Sequence, residues 1–255
     1  MTTIASRHWG HAVLAAACVS VALALGLPGC ALPTVPQSAT IPESGALLVT
    51  PVAHVPWTPL LWPGKQNAPF VLTTYEGRPA LHVRADRSMS VLRQRLSEHA
   101  LQPAQIRFSW AVDRLFADAD IGVAGQDDAP VRVVLAFDGD RSRLSPRARM
   151  QSELSRTLLG EDMPYATLTY VWCNTRPVGT VLVSPRTDRV RKMVVESGAD
   201  RVGRWLEYER DVAQDFRAAF GEEPGPLIGI ALMTDADNTG ERINAWYGAL
   251  HLTSR

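Results

Sequence analysis

Cysteine is scarce in this chain: Cys18, Cys30 and Cys173 are all there is. The first two fall in or just after an N-terminal apolar segment, which leaves Cys173 alone in the remainder and no internal disulfide to form. Stability must then come from core packing, and Cys173, following Trp172 in a strand-like run, reads as a buried, inert thiol. Net charge is lacking too. With 26 basic and 26 acidic residues, no global field would draw the protein to nucleic acid or to an anionic membrane. Lysine occurs twice, as Lys65 and Lys192, a bias assigned to genomic base composition. There is no G-x-S-x-G elbow, no phosphate-binding or dinucleotide glycine pattern and no internal repeat. His54, His82, His99 and His251 form no metal-spaced pair. These absences count against NTP-dependent, redox and serine-nucleophile enzymes.

What is present begins with a leader. Arg7, His8 and His11 precede a small and apolar run at 12–27, too short for a comfortable membrane span and suited to a signal-peptide core. It ends Leu27-Pro28-Gly29-Cys30, which resembles a bacterial lipobox. The resemblance implies a signal peptide at 1–29, lipidation of Cys30, and a lipoprotein held to the envelope by its N-terminal lipid. Ala31 in place of Asp points to the outer membrane, facing the periplasm. Pro28 is an uncommon occupant, so ordinary signal-peptidase cleavage and an uncleaved anchor stay open. Residues 30–48, rich in Pro, Thr and Ser, read as a flexible tether, and 49–255 as one domain. With 46% hydrophobic residues, a domain of that length can bury a full core.

Within the domain, five prolines at 51–69 rule out a central strand, so that stretch is extended chain along an edge. Strands are expected at 68–72, 79–85, 106–112, 131–137, 166–172, 180–183, 190–196, 205–212, 227–233 and 245–252. Segment 88–101 fits helix by propensity and strand by its charge alternation. A helix is expected at 144–159, with Met150, Leu154 and Leu158 at helical spacing and Gly160 as its stop. A shorter one is expected at 213–220, ending at Gly221. Many short strands with one or two helices indicate an all-β sandwich or barrel and exclude a doubly wound α/β fold. The run 227–253 reads as a hairpin-like unit with its polar chemistry at the tip.

Several blocks together resemble the bacterial envelope family known as domain of unknown function 3047. They are Gly125-Gln126-Asp127-Asp128, residues 132–137 and 165–172, Ser197-Gly198, Arg210-Asp211-Val212, Phe220-Gly221-Glu222, residues 233–240 and Ala245-Trp246-Tyr247-Gly248. The resemblance spans roughly residues 57 to 253. It implies a single β-sandwich similar to galactose-binding or jelly-roll modules, and no activity.

The acidic turn at 235–240 offers the sharpest chemistry. Asp235, Asp237, Thr239 and Gly240 stand at the first, third, fifth and sixth positions of an oxygen-rich calcium loop. The twelfth is Trp246 rather than Glu, so Asp127, Asp128 or Glu241 would have to complete a calcium site. Equally, Asp237, Asn238 and Thr239 could satisfy their own turn by side-chain to backbone hydrogen bonds. A sugar-binding site would use Trp57, Trp62, Trp205, Trp246 or Tyr247 as stacking surfaces and Asp235, Asp237 and Asn238 as polar partners. Trp110 and Trp172 read as core. Of the adjacent Trp246 and Tyr247, one must face outward. The reading is a non-catalytic binder of a glycan or another envelope component, without a cofactor unless calcium. A polysaccharide hydrolase using Asp carboxylates, or a protein-binding scaffold, is the alternative.

Overall fold

The computed structural model describes residues 47–254. The leader, Cys30 and all but the end of the tether lie outside the described residues. Thirteen strands form two sheets. The first holds β1 (Leu48–Val49), β3 (Val71–Tyr75), β4 (Arg78–Asp86), β6 (Pro103–Val112), β11 (Leu206–Asp211) and β13 (Arg242–Ser254). Its order is β11-β6-β13-β4-β3, with β1 added parallel to β13. The second holds β2 (Trp57–Pro59), β5 (Met89–Arg95), β7 (Ala129–Phe137), β8 (Ala166–Cys173), β9 (Val181–Val183), β10 (Val190–Ser197) and β12 (Leu227–Asp235). Its order is β2-β5-β12-β7-β8-β10-β9.

Period-two burial explains why these segments are strands. In β4, Leu81, Val83 and Ala85 are wholly buried while His82 and Arg84 turn outward. In β6, Ile106, Phe108 and Trp110 turn inward and Arg107 outward. Inner faces of both sheets meet in one core that includes Trp110, Trp172, Tyr170, Leu232 and Tyr247. From β4 to β7 each strand lies in the sheet opposite its predecessor, and β11 to β13 do the same. This alternation makes the chain an all-β sandwich of the jelly-roll kind. Segment 88–101 resolves into β5 and a 3-10 turn, Ser97–His99. The proline-rich stretch supplies only β2, on an edge, as proline's missing donor requires. Cys173 is buried.

Two helices interrupt the strands. Helix α1 (Pro146–Leu159) starts where the Ser145 side chain accepts from the Ala148 amide and stops at Gly160, φ 76°. Helix α2 (Val212–Phe220) is capped by Asp211 and closed by Gly221 in the same way. It packs against β6, β10 and β11 and buries Val212 and Phe216 in the core.

One expectation needs correction. Strands β12 and β13 are not a hairpin. The first pairs with β5 and β7, the second with β4 and β6, in opposite sheets. Both strands are needed at the centre of a sheet, and the six residues 236–241 suffice to cross the roughly 10 Å between packed sheets. On α1 the larger apolar side chains face away from the core. Met150, Leu154 and Leu158 are exposed, at 63%, 56% and 63%, while Leu144, Ala148 and Ser152 are buried.

Candidate functional site

The acidic turn is assembled by strand register. Pairing of β12 with β7 sets Asp235 opposite Ala129, which brings the Asp127-Asp128 turn against residues 236–240. Asp128 then caps the turn. Its carboxylate accepts from the amides of Asn238 and Thr239, at 3.1 and 2.7 Å, from Asn238 Nδ2 at 2.7 Å and from Thr239 Oγ1 at 2.8 Å. Asp128, Asp235 and Asp237 each place a carboxylate oxygen within 4.8 Å of the other two. Of the three acids that could join the turn, Asp128 is therefore the one brought to it. Asp127 faces Lys192 instead, and Glu241 accepts from the Ala117 amide.

Charges around the turn are largely out of water. Asp235 Oδ2 accepts from Arg132 at 3.0 Å, and both side chains are buried. Asp235 Oδ1 is buried with no hydrogen-bond partner. Burial raises the Asp235 carboxyl above the usual range; Arg132 opposes the rise, and Asp128 and Asp237 add to it. The Asp237 side chain is 8% exposed, and Lys65 Nζ stands 2.6 Å from its Oδ2. Lys192 Nζ donates to Ile121 O at 2.7 Å and to Asp127 Oδ2 at 3.1 Å. Burial, then the Arg132 charge, depresses Lys192 to about 8, whereas Lys192 and Arg132 hold Asp127 low against its own burial. The two shifts favour opposite charge states, and the two good acceptors decide for an ionised pair at neutral pH. Both lysines of the chain thus serve the two acidic loops.

Trp246 and Tyr247 part company, as adjacent strand residues must. Tyr247 points inward, and its hydroxyl is used between the sheets: it lies 2.9 Å from Thr234 Oγ1 and donates to Met233 O at 2.6 Å. Trp246 is on the outer face of the first sheet, opposite His82 on β4. Tyr75, from the end of β3, stacks on it at 3.9 Å and 11°, and His82 at 5.2 Å and 19°. Trp205 joins this group, edge-on to Tyr75 at 5.9 Å, with its Nε1 donating to Tyr75 O. All four rings are partly exposed. Trp57 is buried in the core, and Trp62 is 41% exposed, away from this group's ring contacts.

Beside the rings runs an open groove of about 510 Å³, lined by Arg78, Arg107, Ser109, Glu207, Glu209 and His251 among others. Arg78 pairs with Glu207 at 2.8 Å and lies over the Trp205 ring at 4.9 Å. Arg107 pairs with Glu209 at 2.9 Å. Sequence reading named Trp205 and Trp246 but not Tyr75, His82 or this ladder of ion pairs. Their signal was outward alternation on β3, β4, β6 and β11, which becomes a site only once those strands are neighbours.

A model of proteins of unknown function, DUF3047, matches residues 55–251. The chain belongs to the DUF3047 family. No curated protein matches the sequence. Among solved structures, this DUF3047 domain is similar to the xyloglucanase domain of NopAA, a type three effector from Sinorhizobium fredii, in complex with cellobiose. Identity is 8%, coverage 78% of this chain and 93% of that one, and the TM-score 0.40. It is also similar to family 29 carbohydrate-binding modules. One, complexed with cellulohexaose, has 11% identity, 72% and 76% coverage and a TM-score of 0.29. Another, complexed with mannohexaose, has 11% identity, 72% and 77% coverage and a TM-score of 0.30. None of these values is high enough to carry a ligand site across.

Proposed function

We propose that this protein is an envelope binder that holds a glycan chain on the outer face of its six-stranded sheet. The observation that carries the reading is the aromatic group Tyr75–Trp246–His82 with Trp205, joined to a polar groove by Arg78, which lies over the Trp205 ring and lines the groove. Partly exposed rings offer the apolar edges and faces that sugar C–H groups seek, and planar charged groups offer several hydrogen bonds to hydroxyls. Here the Arg78–Glu207 and Arg107–Glu209 pairs supply donors and acceptors side by side. Because these pairs are exposed, little would be lost in exchanging part of their contact for sugar hydroxyls. Asp235 and Asp237, directed at Arg132 and Lys65, favour an internal role over contact with a polymer. No observation favours the hydrolase reading in particular.

Export and anchoring belong to the same reading. Arg7, the apolar run 12–27 and Leu27-Pro28-Gly29-Cys30 support a lipoprotein attached through Cys30, at the outer membrane facing the periplasm. A tether from 30 to 48 would let the sandwich reach glycan away from the bilayer.

A glycan array probed with the full-length protein tests the binding, followed by titration of the strongest hit with intact protein, Trp246→Ala and Trp205→Ala. Binding should fall at least tenfold in both variants while no sugar is released. An array without hits, or variants that bind as well as the parent, would remove the reading. Incorporation of labelled lipid into the parent and not into Cys30→Ala tests the anchor.

A further inference from the structure

We propose that Asp128, Asp235 and Asp237 form a binding site for a hard divalent cation of calcium size, a site separate from the aromatic face.

The first observation is geometric. Three carboxylates, from the turn before β7, the end of β12 and the crossing that follows, bring one oxygen each within 4.8 Å of the others. Ligands on opposite sides of a calcium ion, each at about 2.4 Å, stand about 4.8 Å apart. Three oxygens within that limit of one another are close enough to share one such ion with small side-chain rotations. Magnesium demands near-ideal octahedral geometry at about 2.0–2.1 Å and keeps several waters, whereas calcium accepts a flexible carboxylate set of this kind. An all-oxygen set also selects a hard ion over zinc or copper.

The second observation is an oxygen left over. Asp235 is 2% exposed and its Oδ2 is taken by Arg132, yet Oδ1 has no hydrogen-bond partner. A buried carboxylate oxygen without a donor is costly, and natural structures seldom keep one without a ligand to explain it. Asp237 Oδ2 is likewise buried, and its neighbour Lys65 Nζ, 2.6 Å away, is not aligned for a hydrogen bond. Lys65 is 45% exposed. Its long stem can swing the ammonium into water, so it occupies the position of a cation without blocking one. The donors on Asp128 fix that carboxylate in place, which preorganises the site.

Thermal unfolding of the full-length protein, after chelator treatment, is measured against added calcium chloride for the parent, Asp237→Asn and Lys65→Gln. An ion that binds only the folded state raises the midpoint with its concentration. At a hundredfold excess over the dissociation constant the parent should rise by about 5–10 °C for a domain of this size. Asp237→Asn should lose the rise. Lys65→Gln should reach half-effect at several-fold less calcium, a gain that a merely structural lysine would not produce. The proposal is overturned if about 10 mM calcium, tenfold above the weakest extracellular sites, moves neither the parent nor Lys65→Gln. It is also overturned if Asp237→Asn responds as the parent does, because the ion would then bind elsewhere.

Discussion

Trp205 rests on Gly248. A Cβ added at Gly248 would stand 2.9 Å from Trp205 Cζ3 and would overlap Ser109 Oγ. The glycine sits on the outer face of the first sheet, where β13 slips register against β6 between Tyr247 and Leu250. Its missing side chain is what allows the indole to come this close to the strand while meeting Tyr75. Gly248→Ala should therefore lift Trp205 and destabilise the fold by about 1–3 kcal/mol, the usual range for an overpacked site. Urea unfolding followed by tryptophan fluorescence measures both effects. An unchanged midpoint and an unchanged emission maximum would show that the contact is not needed.

Asp215 ties the sandwich to α2. It accepts from the Tyr170 hydroxyl at 2.9 Å and from Arg210 Nε at 2.8 Å, and pairs with Arg210 through both oxygens. Tyr170→Phe removes one bond and leaves Asp215 paired, so the loss should be about 1–1.5 kcal/mol. Asp215→Ala strips Tyr170 and Arg210 together and should cost about 3 kcal/mol, at the low end for a buried pair because Arg210 is 37% exposed. Urea unfolding of both single variants and the double variant gives the coupling. Additive effects would mean that the three groups do not act as a unit.

The exposed stripe on α1 separates what sequence can show from what it cannot. Spacing correctly places Met150, Leu154 and Leu158 on one face of a helix. It does not say which face meets the core, because the neighbouring stripe Leu144, Ala148 and Ser152 has the same period. That stripe is the buried one. Its small residues let the helix sit close, and Ser152 Oγ is held by Asp162, Arg141 and the Met163 amide. Leu154→Gln should thus leave stability within about 0.5 kcal/mol of the parent, whereas a core leucine would cost several times more. A thermal midpoint lowered by more than a few degrees would reverse this assignment.

Strand content and helix ends were legible because each is set by local pattern; that one of Trp246 and Tyr247 faces outward was legible too, but which one was not. The acidic site was legible only in half. Asp235, Asp237 and Thr239 share one turn, but Asp128 lies 110 residues from Asn238 and reaches it through the pairing of β7 with β12. Lys65 and Lys192 carried a different hint, their rarity. Both turn out to face aspartates of the two acidic loops, Lys65 from a partly exposed position and Lys192 from a buried one.

Acid should reveal one more tie. Glu222, just past α2, accepts from Arg189 at 2.8 Å and Tyr165 at 3.1 Å and pairs with Arg143 at 2.9 Å. Burial alone would raise its carboxyl, but the hydrogen bonds from Arg189 and Tyr165 and the Arg189 and Arg143 charges outweigh it and hold it below the usual value. A carboxyl depressed in the folded state contributes stability that is fully present above its unfolded pKa, about 4.3, and is lost as pH falls through the lower folded value. Stability of the parent should accordingly fall more steeply than that of Glu222→Gln as pH drops below about 5. Above that pH the two should differ by a constant amount, since the glutamine cannot titrate. Urea midpoints for both proteins across pH 7 to about 3 read the difference. Parallel curves throughout would mean that Glu222 titrates alike in the folded and unfolded chains, and that its three partners contribute nothing to holding the end of α2 against β8.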